Sequence, residues 1–511
     1  VTVLDGGLRV RCQPGATVRN VNAHLARYGR QLGPDPASEI ACTIGGVVAN
    51  NSSGMSCGTQ FNTYRTLDSL VVVLPDGTIV DTSQPDADDR LHRQRPDLWE
   101  GLVTLRDRVR ANPDSMARIA GQYAMKNTMG YGVNSFVDFD EPVHILEHLI
   151  IGSEGTLGFV AEATFRTIPV LAHAATALWV VDDLARATDA LPGLIAGGAS
   201  ALELLDAASL RVVQQYPEAP AVVHALDVHD HAALLIEASA DHADELDERI
   251  GMLRDALGPV DLANSVGFTT DAAVRDDLWH LRKGLYATVA AARPVGSTNL
   301  LEDIAVPVDR LTPTTEGLHQ LFVQHGYPQA VIFGHARDGN IHFMITPHLD
   351  RPDGSDAYAG FTDGMVDLVL GQGGTLKAEH GTGRVMAPFV ERQFGTELYQ
   401  VMRQVKQLAD PAGVLNPGTL LTDDPKLHLR DLKVTPPVDG FIDRCVDCGY
   451  CEPGCPSRDL TTTPRQRIAL LRSEQLLDAE QAAQVRGDYA YAAVDTCAVD
   501  SLCVTACPVH I

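Results

Sequence analysis

Gly152-Ser153-Glu154-Gly155-Thr156-Leu157-Gly158 lies well downstream of a second glycine-rich, polar stretch, Thr43-Ile44-Gly45-Gly46-Val-Val-Ala-Asn50-Asn-Ser-Ser-Gly54. Gly33-Pro34-Asp35-Pro36 leads into the earlier one. Glycines at this density let backbone N–H groups approach a phosphate or ring system closely, because no Cβ stands in the way. Taken alone, such segments read more readily as tight turns than as ligand cradles, by about two to one. Neither G-x-G-x-x-G nor G-x-x-x-x-G-K-[ST] occurs, which argues against a Rossmann dinucleotide site and a P-loop.

Outward from these segments, residues 17–29 predict a helix with Thr17 as its cap, Val18, Val21 and Leu25 as its apolar stripe and Gly29 at its end. Ser69 to Asp81 reads as a hairpin about Pro75-Asp76-Gly77, and a helix over 97–111 stops near Asn112-Pro113. From 170 to 420 strands alternate with long helices, such as 241–257 and 271–292. Residues 421–440, with three prolines and little periodicity, read as a linker.

Seven of the ten cysteines fall in the last 67 residues. They form Cys445-x2-Cys448-x2-Cys451-x3-Cys455-Pro456 and Cys497-x5-Cys503-x3-Cys507-Pro508. The first spacing lets three thiolates cap one face of an iron–sulfur cluster while the fourth reaches another. The expected sets are Cys445, Cys448, Cys451 and Cys507 on one cluster, and Cys455, Cys497 and Cys503 on the second. Asp500 stands where a further cysteine would fall. Either its carboxylate completes a [4Fe–4S] cluster or that corner is empty and the cluster is [3Fe–4S]. A zinc site would use looser spacing, and a disulfide framework would spread its cysteines along the chain. Cys12, Cys42 and Cys57 have no spacing partner and read as small buried residues.

A third constellation can be built from strand geometry. Val331 to Ile345 reads as a hairpin turning on Asp338-Gly339. Counting outward from that turn sets His335 opposite His342, on one face and close enough to share a metal. Glu379, in Lys377-Ala-Glu379-His380-Gly381, offers a third ligand. Two histidines and one carboxylate leave a position open, as catalytic metal sites do. On residues alone, a cross-strand histidine pair without metal is an equal reading. His144 and His148, near Gly152, have no matching partner and read as structural.

The formal charge of −26, from 40 basic and 66 acidic residues, argues against nucleic acid and gives no attraction to an anionic membrane. No apolar run approaches the roughly 18 residues of a transmembrane helix. Cluster thiolates imply a reducing, cytoplasmic setting, with peripheral association at the inner membrane face as its variant. Both ends read as cut, so the expectation is a piece of a longer protein.

Together the glycine segments resemble the flavin-binding domain of the vanillyl-alcohol-oxidase type FAD-linked oxidases, matching its P-D-P-A-S, T-I-G-G and G-S-E-G-T-L-G signatures in order. Asn416-Pro417-Gly418 is similar to that family's closing segment. The likeness spans about residues 1–420 and implies an α+β chain. Residues 1–168 would be a PCMH-type FAD-binding domain lacking its N-terminal pyrophosphate loop. Residues 169–420 would be an α+β substrate and metal domain and 421–440 a linker. Residues 441–511 would be an α-helical two-cluster ferredoxin-like domain. FAD contacts would fall to Pro34, Asp35, Pro36, Ser38, Thr43, Ile44, Gly45, Gly46, Asn50, Gly152, Ser153, Glu154, Gly155, Thr156, Gly158 and Asn416.

The G-H-x-x-D-G-N-x-H and E-H-G wording resembles the FAD-linked D-2-hydroxyacid dehydrogenases. It implies a divalent metal, zinc, manganese or iron, on His335, His342 and Glu379. A small 2-hydroxy acid, D-lactate or glycolate first, would become the 2-oxo acid. His380 would take the hydroxyl proton, and Arg282 or Arg384 would grip the carboxylate. Met344 would narrow the pocket. Electrons would pass through the clusters to quinone or another respiratory carrier, by way of a cysteine-rich region beyond this fragment. A non-catalytic electron-relay subunit is the competing class, and a flavin oxidase acting on sugars or phenols is a third.

Overall fold

The computed structural model describes residues 1–215, 219–258 and 265–511. Its strands, in chain order, are β1 (Thr2–Leu4), β2 (Arg9–Cys12), β3 (Arg30–Gln31), β4 (Leu67–Val73), β5 (Ile79–Asp81), β6 (Phe159–Arg166) and β7 (Ile168–Pro169). They continue as β8 (His173–Val181), β9 (Ala201–Leu205), β10 (Ala232–Ala240), β11 (Val266–Thr269), β12 (Leu300–Ala305), β13 (Val331–His335) and β14 (Asn340–Ile345). A five-stranded sheet ordered β1-β2-β6-β4-β5 carries the first domain, with β3-β7 as a small ribbon. A seven-stranded antiparallel sheet, β11-β8-β10-β9-β13-β14-β12, carries the second. The α+β expectation holds in both.

The early helix forms over Val18–Leu25, with Thr17 Oγ1 accepting from the Asn20 amide and left-handed Gly29 closing the following turn. Helices Pro96–Arg110 and Pro113–Gln122 meet at Asn112, which caps the second. The polar glycine stretch is more regular than its composition suggests. Residues Ile44–Asn50 are helical because Ile44, Val47 and Val48 are buried together on one side.

The ligand hairpin differs from the two-residue turn read from sequence. Ala336–Asp338 forms a 3-10 turn, and the ladder pairs Phe333, not His335, with His342. The register is displaced by two, which preserves the face because side chains alternate with period two. Gly339 is left-handed, and a Cβ there would lie 1.9 Å from the Val306 carbonyl oxygen, so the turn has room for glycine alone.

Residues 421–440 are not a free linker. Leu421, Leu429, Leu432 and Val434 pack on the main core, and Thr298 Oγ1 donates to the Lys433 carbonyl at 2.8 Å. The closing domain is helical: Pro464–Glu474 opens on a Thr463/Gln466 capping box, and Ala479–Tyr489 and Leu502–Ala506 follow.

Gly326 is also left-handed but has open space about its Cβ position. Gly326→Ala should therefore cost about 1–2 kcal/mol, and Gly339→Ala about 3–4 kcal/mol because backbone must also move. Urea unfolding midpoints read the difference; equal midpoints would contradict the close approach.

Candidate metal and flavin site

Strands β9, β13, β14 and β12 lie side by side, and their register sets Glu203 opposite His335 and Asp303 opposite His342. His335 Nδ1 is 2.7 Å from Glu203 Oε1, and His342 Nδ1 is 3.2 Å from Asp303 Oδ1. Each imidazole thus turns Nε2 inward, toward Glu379 Oε2 at 3.3 and 3.8 Å. The three inward donor groups lie within 4.8 Å of one another, and all three residues are buried. A carboxylate behind each histidine is the arrangement that fixes tautomer and ring orientation in metal sites. Asp303, His342 and His380 also cluster. There, however, Asp303 is already engaged: Asn340 Nδ2 donates to Oδ1, and the amides of Ala378, Glu379 and His380 donate to Oδ2. Asp303 orients the ligands and the loop that carries Glu379.

Glu379 Oε1 is held separately. Ser53 Oγ donates to it at 2.7 Å, the Gly54 amide at 3.2 Å and Lys126 Nζ at 2.7 Å. Lys126, almost fully buried, also reaches the Gly54 carbonyl at 2.6 Å and Asp338 at 2.9 Å. No sequence spacing flagged Lys126, Glu203 or Asp303. Each acts through partners far away in the chain, so only the assembled fold identifies it.

Five carboxylates, Asp35, Glu203, Asp303, Asp338 and Glu379, gather about two permanent cations, Lys126 and Arg282. Burial opposes ionisation of Glu379, yet Lys126 and His335 hold it well below the usual carboxylate range. Against burial, Arg282 and His335 hold Glu203 down at about 2. Burial also works against the charged form of His335, but Glu203 and Glu379 raise it to about 9. For His342 burial wins over Asp303 and leaves it at about 4. Burial pushes Asp35 up to about 6 against the pull of Lys126. A surplus of buried negative charge calls for a cation. The donor set and the charge balance both fit a divalent metal between the two Nε2 atoms and Glu379 Oε2.

The predicted cofactor segments fold onto one another and onto the metal loop. The Gly152 and Glu154 amides donate to the Val48 and Ala49 carbonyls at 2.9 and 2.8 Å. Asn50 Nδ2 donates to the Glu379 carbonyl, Glu154 accepts from the Gly383 amide, and Asn416 Nδ2 donates to the Glu154 carbonyl. Asp35 bridges to Gly54. Ile44, Ser153, Thr156 and Gly158 are buried, whereas Ser38, Gly46 and Gly155 are exposed. A cleft of about 810 Å³ opens here, lined by Asn51, Asn127, Thr128, Asn134 and Gly152 among others. Asn134 Oδ1 is buried on that wall without a partner among the described residues, which fits a polar ligand along it.

His380 is exposed and stacks on His342, centroids 4.9 Å apart. Arg282 is buried, and its Nε donates to Glu203 Oε2 at 2.5 Å while its guanidinium lies over Phe333. Arg384 is at the surface beside Asp431 and outside the buried cluster. Met344 is buried in the core beneath helix Ala272–Ala291. His148 stacks on Phe139, and His144 approaches Glu147 at 3.4 Å; neither is near the metal set.

None of the seven cysteines of the closing domain is joined in a disulfide. A cavity of about 820 Å³ is lined by Cys445, Cys448, Cys451 and Cys507, with Cys503 also on its wall. Cys455 is buried away from it and Cys497 is exposed. Asp500 is exposed, its carboxylate accepting from the Leu502 amide at 3.1 Å. Four predicted thiols around one cavity fit an iron–sulfur cluster.

Three family descriptions match: an FAD binding domain over residues 1–83, the C-terminal domain of FAD linked oxidases over 170–420, and a 4Fe-4S dicluster domain over 441–511. The chain carries an FAD-binding domain, the C-terminal domain of FAD-linked oxidases and a 4Fe–4S dicluster domain. It is an oxidoreductase. It is 28% identical over 428 residues to glycolate oxidase subunit GlcD of Escherichia coli (strain K12), covering 83% of this chain and 72% of that protein. It is 24% identical to mitochondrial D-lactate dehydrogenase [cytochrome] 1 of Saccharomyces cerevisiae, covering 83% and 63%. It is 26% identical to D-2-hydroxyglutarate dehydrogenase of Pantoea ananatis, covering 93% and 50%. Among solved structures, 4-ethylphenol oxidase from Gulosibacter chungangensis shares the fold at TM-score 0.55 and 12% identity, over 82% of this chain and 78% of that one. Alkyldihydroxyacetonephosphate synthase shares it at 0.51 and 16%, over 82% and 65%. No described helix is long and apolar enough to cross a membrane.

Lys126→Met should destabilise the protein by about 3–5 kcal/mol, because it strands buried carboxylates. Adding Glu379→Gln should recover part of the loss, so a double-mutant cycle on unfolding should show coupling. Additive losses would mean that the pair does not interact.

Proposed function

We propose that this chain oxidises a small D-2-hydroxy acid, D-lactate or glycolate foremost, to the 2-oxo acid and passes the electrons to a respiratory acceptor. The observation that carries the reading is the inward convergence of His335, His342 and Glu379, each backed by a dedicated partner, beside the flavin segments. The names of the relatives, glycolate oxidase, D-lactate dehydrogenase and D-2-hydroxyglutarate dehydrogenase, support the substrate class.

When bound, FAD supplies a two-electron acceptor, a divalent metal supplies Lewis acidity toward a hydroxyl, and iron–sulfur clusters supply one-electron carriers. His335 Nε2, His342 Nε2 and Glu379 Oε2 would hold the metal. Glu203 and Asp303 keep both rings turned inward, and Lys126 with Ser53 keeps Glu379 to one free oxygen. Open positions then remain for the adjacent hydroxyl and carboxylate oxygens of a 2-hydroxy acid. His380, the exposed ring against His342, takes the hydroxyl proton. Arg282 offers its outer Nη groups to a carboxylate while Glu203 holds its Nε, so its grip on substrate would differ from a fork through Nε. Helix Ala272–Ala291 covers this sheet face with Leu278, Leu285 and Val289 and limits water. Cys445, Cys448, Cys451 and Cys507 would hold one cluster, and Cys455, Cys497 and Cys503, with Asp500 or an empty corner, the second.

Anaerobic titration with D-lactate, L-lactate, glycolate and D-2-hydroxyglutarate should bleach the flavin with one of the D-acids or glycolate, and chelator or Glu379→Ala should abolish it. Glu203→Gln should weaken metal binding about 10–100-fold. No bleaching by any of the four, with flavin and iron in place, would leave the relay reading standing.

The proton on His335 makes metal binding pH-dependent. In the metal-free protein His335 is protonated below about 9 and His342 is neutral above about 4. Between those values one proton should leave per metal bound, and affinity should rise with pH by about tenfold per unit. Calorimetry at pH 7.5 in buffers of different ionisation enthalpy reads that proton; zero released would contradict the shifted imidazole.

A further inference from the structure

The chain is strongly acidic, yet the loop that carries Cys445 is held from behind the cysteine cavity by two arginines, Arg293 and Arg472, that pair with no carboxylate among the described residues. Arg293, just past helix Ala272–Ala291, sends Nη2 to the carbonyls of Asp443 at 2.8 Å and Cys445 at 3.1 Å. Arg472, buried on helix Pro464–Glu474, sends its own Nη2 to the same two carbonyls at 3.3 and 3.2 Å. Arg467 is on the cavity wall. Arg472 Nε and Arg467 Nη2 are buried without partners among the described residues. None of these three arginines forms an ion pair among the described residues, whereas Arg465 beside them is neutralised by Glu452 at 2.9 Å. Two guanidiniums converging on one backbone turn repel each other, and burial strengthens that repulsion. An anion in the cavity removes the conflict, and a cluster carried on four thiolates is one.

We propose that Arg293 and Arg472 are positioning residues that raise the reduction potential of the cluster held by Cys445, Cys448, Cys451 and Cys507, making it the first electron acceptor in the chain. The inference rests on that ligand assignment. Positive charge and hydrogen bonds near a cluster favour its more negative, reduced form. Each transfer would add one electron to the cluster and remove one from the reduced flavin; the cluster would pass the first electron to the second cluster before taking the second, so the pair taken from one substrate molecule leaves in two steps. Arg293 follows the helix that carries Arg282 and holds the Cys445 carbonyl, and Val446 of the cluster loop packs on the same apolar core as Trp279 and Tyr286 of that helix. The first cluster loop is therefore seated on the helix that covers the substrate face. Cys497, exposed, belongs to the other motif and faces outward.

The test is an EPR redox titration of the holoprotein as wild type, Arg293→Gln, Arg472→Gln and Arg293→Lys. Either glutamine variant should reduce the equilibrium constant for electron transfer onto this cluster about tenfold, which is about 59 mV for one electron. Arg293→Lys, which keeps the charge, should stay close to wild type. Cys507→Ser should remove the same EPR signal; a signal that persists there would refute the ligand set rather than the arginines. Unchanged potentials in both glutamine variants, with iron and sulfide complete, would overturn the inference. Loss of the cluster from all three arginine variants would also overturn it, since the arginines would then be scaffold only.

Discussion

The carboxylate of Glu379 has two oxygens with separate tasks, and much of the molecule is arranged around that division. One oxygen is tied by Ser53, Gly54 and Lys126, all from the FAD-binding half of the chain. The other faces two imidazoles on the seven-stranded sheet. The two halves therefore meet at this side chain, and beside it through Lys126 with Asp338 and Glu154 with the Gly383 amide. An interface centred on a buried charge tolerates little slippage, because misplacement by an ångström leaves a carboxylate or an ammonium without its partner.

Behind that residue the charges alternate. Arg282, Glu203, His335, Glu379, Lys126 and Asp338 follow one another through hydrogen bonds or ion pairs. Such a row is stable only when each member is satisfied, and it stiffens what it crosses. It also fixes Arg282 in place through Glu203. A guanidinium anchored through Nε cannot swing toward solvent, so whatever its outer nitrogens contact is presented with a fixed geometry.

Much of this was legible in the sequence, because the motifs are local. The glycine segments, the histidine pair with Glu379 and the first cysteine run are each contained in short stretches whose spacing follows from backbone geometry. The partners were not legible. Glu203, Asp303 and Lys126 look like any other acidic or basic residue, and their roles come from strand order and from contacts between distant segments. The hairpin turn was misjudged because Asp-Gly is a strong two-residue signal, whereas the strands are joined by a longer connection, a 3-10 turn over Ala336–Asp338 with Gly339 against Val306. Residues 421–440 looked like linker because their few apolar side chains lack a period; they dock as a strap whose regular structure is one 3-10 turn, Leu427–Leu429.

The displaced hairpin has a consequence for how such sites can change over evolution. With a side-chain period of two, lengthening or shortening the tip by two residues carries each imidazole along the strand and returns it to the same side of the sheet. A change of one residue sends a ligand to the opposite side, into the packed core. Length variation at this tip should therefore come in even steps, and a surviving odd step would need a compensating bulge. The site is governed by the parity of its loop more than by the loop's length.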